Sequence, residues 1–262
     1  MKSFSLLKSF LLSPFRFLLK RKFLSFLLIL FSVGTFLTID FFFSLPDTKG
    51  FIHGIPRTTA MIDQRKKESS LNGKRLRIRK RWVPLSIIPS FLKRTVIVSE
   101  DINFFSHKGI DYYELKEAIK KNLKTGKRSR GGSTITQQLA KNLFLSTKKS
   151  YLRKLKEFFI AGRLEKHLSK NRIFELYLNV IEFGRGIFGV EAASEFFFKK
   201  RVERLNKTEM IRLVSVIPKP LRVSPLSNSG YLKWRANLLI DRLYKSNSIN
   251  KKVYNTLKIS FM

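Results

Sequence analysis

Cysteine is absent from the 262 residues, which excludes a disulfide frame and any thiolate metal site. That absence fits any compartment. Histidine is scarce: His53, His107 and His167 share no metal-ligand spacing, so a zinc site is not expected. Carboxylates are few, with 18 Asp+Glu against 53 Lys+Arg and a net charge of +35. An excess of that size calls for an anionic partner: nucleic acid, anionic lipid or a phosphorylated substrate. There is no P-loop, no Gly-x-Ser-x-Gly, no internal repeat and no low-complexity tract. Gly184-Arg185-Gly186-Ile187-Phe188-Gly189 spells the dinucleotide fingerprint, but residues 170–181 before it are helix-periodic rather than strand-like. These glycines are expected to make a turn between helices.

What is present begins with a long apolar run. Phe23 to Ile39 carries no charge, and at 1.5 Å per helical residue it spans about 25 Å. Asp40 interrupts the run, then Phe41-Phe42-Phe43 and Leu45 carry it to a length that crosses a bilayer with some tilt. The expected transmembrane helix is therefore 23–45. A cleaved signal peptide is disfavoured because the first alanine is Ala60, so no Ala-x-Ala site follows the run. Lys2, Lys8, Arg16, Lys20, Arg21 and Lys22 precede it without an acidic residue. The positive-inside rule makes 1–22 a cytoplasmic basic segment and places everything from Pro46 onward outside. That topology argues against nucleic acid and leaves membrane phospholipid, or a substrate carried on a lipid phosphate.

Residues 46–81 read as a linker and entry segment closing in the basic run Lys74 to Arg81, a solvated or membrane-facing arm. From about Pro89 the periodicity is helical. Ile173, Leu176, Tyr177 and Val180 fall on one face, with Ser169 as N-cap. Asn206 and Glu209 form a capping-box pattern before an apolar face that Pro218 stops. Residues 231–243 read as a last amphipathic helix. Strand signals are few and short, so one mostly α-helical outer domain is expected.

Three segments carry chemistry. Gly131-Gly132-Ser133-Thr134-Ile135-Thr136-Gln137-Gln138-Leu139-Ala140-Lys141-Asn142 crowds six amide or hydroxyl side chains and a lysine into a turn-to-helix stretch. It suits a surface that grips a polyoxygenated anion such as a sugar phosphate, and equally a polar helix facing water. Glu100-Asp101 sits between apolar residues. Adjacent positions diverge, so the two do not cooperate as a pair. One carboxylate in an apolar setting has a raised pKa and can act as a general base; a helix-end carboxylate or a satisfied ion pair is the plainer alternative. Glu157 follows Arg153 and Lys154 by four and three residues, which allows a surface ion pair or a carboxylate beside a phosphate-binding cluster.

In combination these segments resemble the family-51 peptidoglycan glycosyltransferases. Glu100 to Gly109, with Phe and His at set spacings, is similar to the family's first motif, and residues 131–142 to its second almost letter for letter. Arg153-Lys154-Leu155-Lys156-Glu157 is similar to the third, Ile173 to Asn179 to the fourth, and Gly186 to Ala193 to the fifth. The five lie in order over roughly residues 82–220. The stretch after residue 220 is too short for a penicillin-binding transpeptidase domain, so the resemblance is to the monofunctional, Gram-negative branch. Pro56 to Met61 and Arg81 to Leu85 agree. The chain departs from the pattern at Phe196-Phe197-Phe198-Lys199-Lys200 and at Lys219, where Asn is common; both departures are expected to lie away from the reaction centre.

The resemblance implies a lysozyme-like, two-lobed, mostly α glycosyltransferase domain over 82–262, with a small membrane-dipping lobe. It implies polymerisation of lipid II into β-1,4-linked glycan at the outer, periplasmic face of the inner membrane. Glu100 is the expected general base, and Glu157 is expected to orient the cations or assist the donor pyrophosphate. Lys141, Lys149 and Arg153 are the expected pyrophosphate cations, and Ser133, Thr134, Gln137, Gln138 and Asn142 are expected to bind sugar and phosphate oxygens. The basic tract 120–130 is expected to be a loop, either clamping substrate or simply solvated. No cofactor is required, a divalent cation is at most stimulatory, and no dedicated metal site is visible. Expected partners are lipid II, nascent glycan, membrane phospholipid and proteins of cell-wall synthesis or division. Two rivals remain: a lysozyme-like glycan-cleaving enzyme, which needs no pyrophosphate cations, and a basic membrane-tethered scaffold.

Overall fold

The computed structural model describes residues 3–126, 132–147 and 150–262, with 3–21 described by their backbone alone. The chain divides into two units between Pro46 and Asp47. The first is built on one helix, α1 (Ser3–Phe43). Within it Lys22–Phe43 is long and apolar enough to cross a membrane. At 1.5 Å per residue that stretch spans about 33 Å, the length of a membrane anchor. The helix runs through Asp40 unbroken, and the Ser44 N–H still reaches the Asp40 carbonyl at 2.9 Å.

The second unit contains α2 (Ala60–Leu71), β1 (Arg79–Lys80), α3 (Ser90–Glu100), α4 (Tyr112–Thr125), α5 (Ile135–Phe144), α6 (Tyr151–His167) and α7 (Lys170–Val180). It continues with β2 (Glu182–Gly184), β3 (Ile187–Phe188), α8 (Val190–Phe198), α9 (Lys207–Val216), α10 (Gly230–Lys245) and α11 (Lys251–Ile259). The mostly helical class expected of the sequence holds. Ser169 caps α7 by accepting from the Arg172 N–H, and Asn206 and Glu209 close a reciprocal box at the start of α9.

Three expectations change. The stretch 46–81 is more than a linker: Thr59 caps α2, and its Met61 and Ile62 are buried against Phe188. β1 pairs in parallel with β3, which pairs antiparallel with β2. The glycines of the rejected dinucleotide motif belong to this β2–β3 hairpin, where Gly186 and Gly189 take φ of 76° and 84°. A Cβ on Gly189 would stand 2.6 Å from the Asn179 carbonyl oxygen, so only glycine fits. Finally, residues 231–243 are not the last helix, because Asn250 caps a further one, α11.

Packing follows the apolar faces. α5 buries Ile135, Leu139 and Ala140 completely and packs on α2, α6 and α7. α3 buries Leu92 and Val96 and packs on α9 and α10. Full burial of each Leu or Ile contributes about 1.5–3 kcal/mol. These two groups of helices bring the ends of α3, α4 and α5 together beside α10.

Candidate active site

A cavity of about 740 Å³ opens where α3 ends, lined by Glu100, Ser133, Gln138, Tyr231, Trp234 and Arg235 among others. Glu100 is the last residue of α3, and its side chain is about 10% exposed. Its setting is polar rather than apolar. Ser99 Oγ donates to Oε1 at 2.7 Å, Gln138 Nε2 donates to Oε2 at 3.0 Å, and Arg235 Nη2 lies 3.5 Å from Oε1. Gln138 is held in turn by the Tyr177 hydroxyl, which donates to its Oε1 at 3.0 Å. Burial first, then the charges of Glu100 and Asp101, push the Tyr177 phenol well above its ordinary pKa. Tyr177 therefore remains a donor, which turns the Gln138 NH₂ toward Glu100.

Asp101 points elsewhere, as adjacent residues must. It accepts the Ile135 N–H at 2.9 Å and faces His107 Nε2 at 3.0 and 3.1 Å. Asp111 joins them, and the ligand atoms of Asp101, His107 and Asp111 lie within 4.8 Å of one another. Reading His107 by linear spacing missed this convergence. The Asp111 oxygens are already committed to the Glu114 N–H and the Asn103 amide, each at 2.9 Å. Burial opposes ionisation there, but these donors outweigh it and hold the Asp111 carboxyl below the usual range. With the carboxylates spent on N–H donors, this group fits a structural clasp better than a cation site.

The second carboxylate is clamped. Arg153 Nη1 reaches Glu157 Oε2 at 2.8 Å, and Lys154 Nζ reaches Oε1 at 2.5 Å, with the Glu157 side chain only 4% exposed. This is a buried cluster, not a surface pair. Lys154 also donates to Ser133 Oγ at 2.9 Å, a role its place in the sequence did not reveal. Lys141 stands among these charges without an ion pair to any described carboxylate. Burial lowers its pKa; Glu157 opposes this, Arg153 and Lys154 reinforce it, and Glu100 acts more weakly.

The family described as transglycosylase matches residues 68–244. The chain belongs to the transglycosylase family. It is 42% identical over 188 residues to the biosynthetic peptidoglycan transglycosylase of Neisseria gonorrhoeae, covering 72% of this chain and 81% of that protein. It is 45% identical over 166 residues to the protein of that name from Janthinobacterium sp. (strain Marseille), covering 63% and 72%. The counterpart from Herminiimonas arsenicoxydans is 41% identical over 188 residues. The match reaches past the 82–220 span of the five motifs at both ends.

Not every expected site residue of this transglycosylase faces the cavity. Gln137 is buried and closes a capping box with Thr134, and the Thr134 hydroxyl donates to the Gly109 carbonyl at 2.6 Å. Asn142 is buried and donates to the Gln138 carbonyl oxygen at 2.8 Å. Gln137 and Asn142 hold α5 in place, and Thr134, although it lines the cavity, has its hydroxyl engaged by the Gly109 carbonyl and the Gln137 N–H. Lys149 lies outside the described residues. Of the basic tract, Lys120 to Thr125 continue α4 as helix, while 127–130 also lie outside the described residues. Tyr177 and Arg235 were missed as site residues. Tyr177 hides within an apolar helical pattern, and Arg235 comes from α10, far along the chain.

Proposed function

We propose that this transglycosylase polymerises lipid II into β-1,4-linked glycan, with Glu100 as general base and undecaprenyl pyrophosphate as leaving group. The observation that carries the reading is the pairing of Glu100, at the cavity wall and held mainly by neutral donors, with a cluster of three cations that holds, among the described residues, the one carboxylate of Glu157. A glycan-cleaving enzyme has no use for that surplus, because its leaving group is a sugar hydroxyl.

Glu100 takes the proton from the 4-hydroxyl of the acceptor GlcNAc as that oxygen attacks the anomeric carbon of the donor MurNAc. The new C–O bond forms with inversion. The bond to the pyrophosphate breaks, and its electron pair leaves with the phosphate. Lys141 and Arg153, with Lys154 beside them, meet the charge developing on that group. Arg153 offers a fork of donors, whereas each lysine acts as a point charge. Lys149 is a further candidate by motif. Glu157 keeps Arg153 and Lys154 in place, and Gln138 and Ser133 serve sugar or phosphate oxygens. The anchor α1 keeps the domain at the outer face of the inner membrane, where the substrate's prenyl tail resides, and raises the effective concentration of one over the other.

The test is Glu100→Gln, assayed on lipid II in detergent. The expected result is a loss of about 10²–10⁴ in turnover, with lipid II binding and the thermal midpoint little changed. Full polymerisation by the folded variant removes Glu100 from this role.

A further inference from the structure

One wall of the cavity is aromatic, and the proposed proton transfer and phosphate departure do not use it. Trp234 lines the cavity yet leaves 58% of its surface in solvent. Single exposed apolar residues are ordinary on protein surfaces. Trp234 is different because of its place: it precedes Arg235 on α10, and Arg235 reaches Ser99 Oγ at 3.0 Å beside Glu100. The indole therefore stands at the edge of the reaction site. Its neighbour one turn back, Tyr231, also lines the cavity, with ring centroids 5.8 Å apart and planes inclined at 47°. Lys219 also holds Tyr231, its ammonium 4.2 Å from the ring centroid. Lys219 is one of the departures from the family pattern, and it lies nearer the reaction centre than its position in the sequence implied.

We infer that Trp234, propped by Tyr231 and Lys219, is a stacking platform for a sugar ring of the glycan held in this cleft. A pyranose has a face of C–H bonds and an edge of hydroxyls. The electron-rich face of an indole suits the first, and Ser133 and Gln138 on the α5 side suit the second. A rigid ring set on a helix also gives contact area at little entropic cost. The inference rests on reading the cleft as a glycan-polymerising site, and the experiment separates the two.

Two measurements test it on the full-length protein in detergent. The first compares lipid II polymerisation by wild type, Trp234→Ala and Trp234→Phe. Loss of the platform should raise KM about tenfold, the scale of truncating one aromatic anchor, with kcat within about twofold, and Trp234→Phe should recover most of the loss. The second titrates lipid-free GlcNAc–MurNAc oligosaccharides into a Trp82→Phe background, where Trp234 is the one remaining tryptophan, and follows its fluorescence. A saturable change supports the platform. Unchanged KM in Trp234→Ala, from a wild type that polymerises normally, overturns the platform and leaves the reaction standing. A saturable fluorescence change in Trp82→Phe, beside a wild type that never polymerises, supports the platform and overturns the reaction.

Discussion

Glu100 and Glu157 are the same residue put to opposite uses. Glu157 sits within α6 and draws Arg153 and Lys154 from its own preceding turn, so its charge is spent where it is made. Glu100 ends α3, and its one cation comes from α10 at the looser distance of 3.5 Å, while its other contacts are neutral donors. The difference separates two tasks. A carboxylate with each oxygen occupied by a cation is a good frame for holding positive charge. A carboxylate held by neutral donors at a cavity wall stays within reach of a substrate proton.

The sharpest way to break this comparison is to remove each carboxylate and measure stability and turnover together. Glu157→Ala leaves two half-buried cations facing each other and should cost up to about 3 kcal/mol in denaturant unfolding, along with activity. Glu100→Gln should spare stability and lose turnover; equal unfolding losses would erase the distinction. Next in size, Arg153→Ala should cut kcat by about 10²–10³, as for loss of one transition-state donor. A KM effect alone would instead make Arg153 a ground-state ligand.

Lys141→Met should raise the thermal midpoint while lowering activity, because burial of the ammonium works against folding. The sign follows from its lowered pKa. The unfolded chain holds the Lys141 proton to higher pH, so the penalty is full below the folded pKa and is relieved as pH rises from there toward 10.5. The stability gap between Lys141→Met and wild type should therefore narrow through that alkaline window, and a gap independent of pH would assign it to packing. Smallest, Gln137→Ala should cost about 1 kcal/mol by opening the α5 capping box, with kcat per folded molecule unchanged. A fall in kcat would return Gln137 to the substrate.

Much of the fold was legible because its signals are local. Ser169, Asn206 and Pro218 mark helix ends by hydrogen-bonding chemistry that needs only neighbours in the chain. The motifs also marked the segments that supply the contacts of Glu157 and, through Gln138, part of those of Glu100. What they could not name was direction. Gln137 and Asn142 have the chemistry of ligand-binding groups, and only the packing of α5 on its neighbours decides that they turn inward. Arg235 and Tyr177 reach the site across separations of 135 and 39 residues, a relation with no periodic trace. The segment from Thr59 to Arg81 was read too loosely because its β1 strand exists only by pairing with β3, more than a hundred residues away.

The single bond from the Ile135 N–H to Asp101 has a mechanical meaning. It pins the start of the helix that carries Gln138 and Lys141 to the residue next to Glu100. Breathing of one helix group against the other must then drag the proposed proton acceptor and the proposed phosphate cradle along as a coupled pair. With the Gln138 amide on Glu100, this bond makes the spacing of α3 and α5 a property of two rivets rather than of the stiffness of either wall.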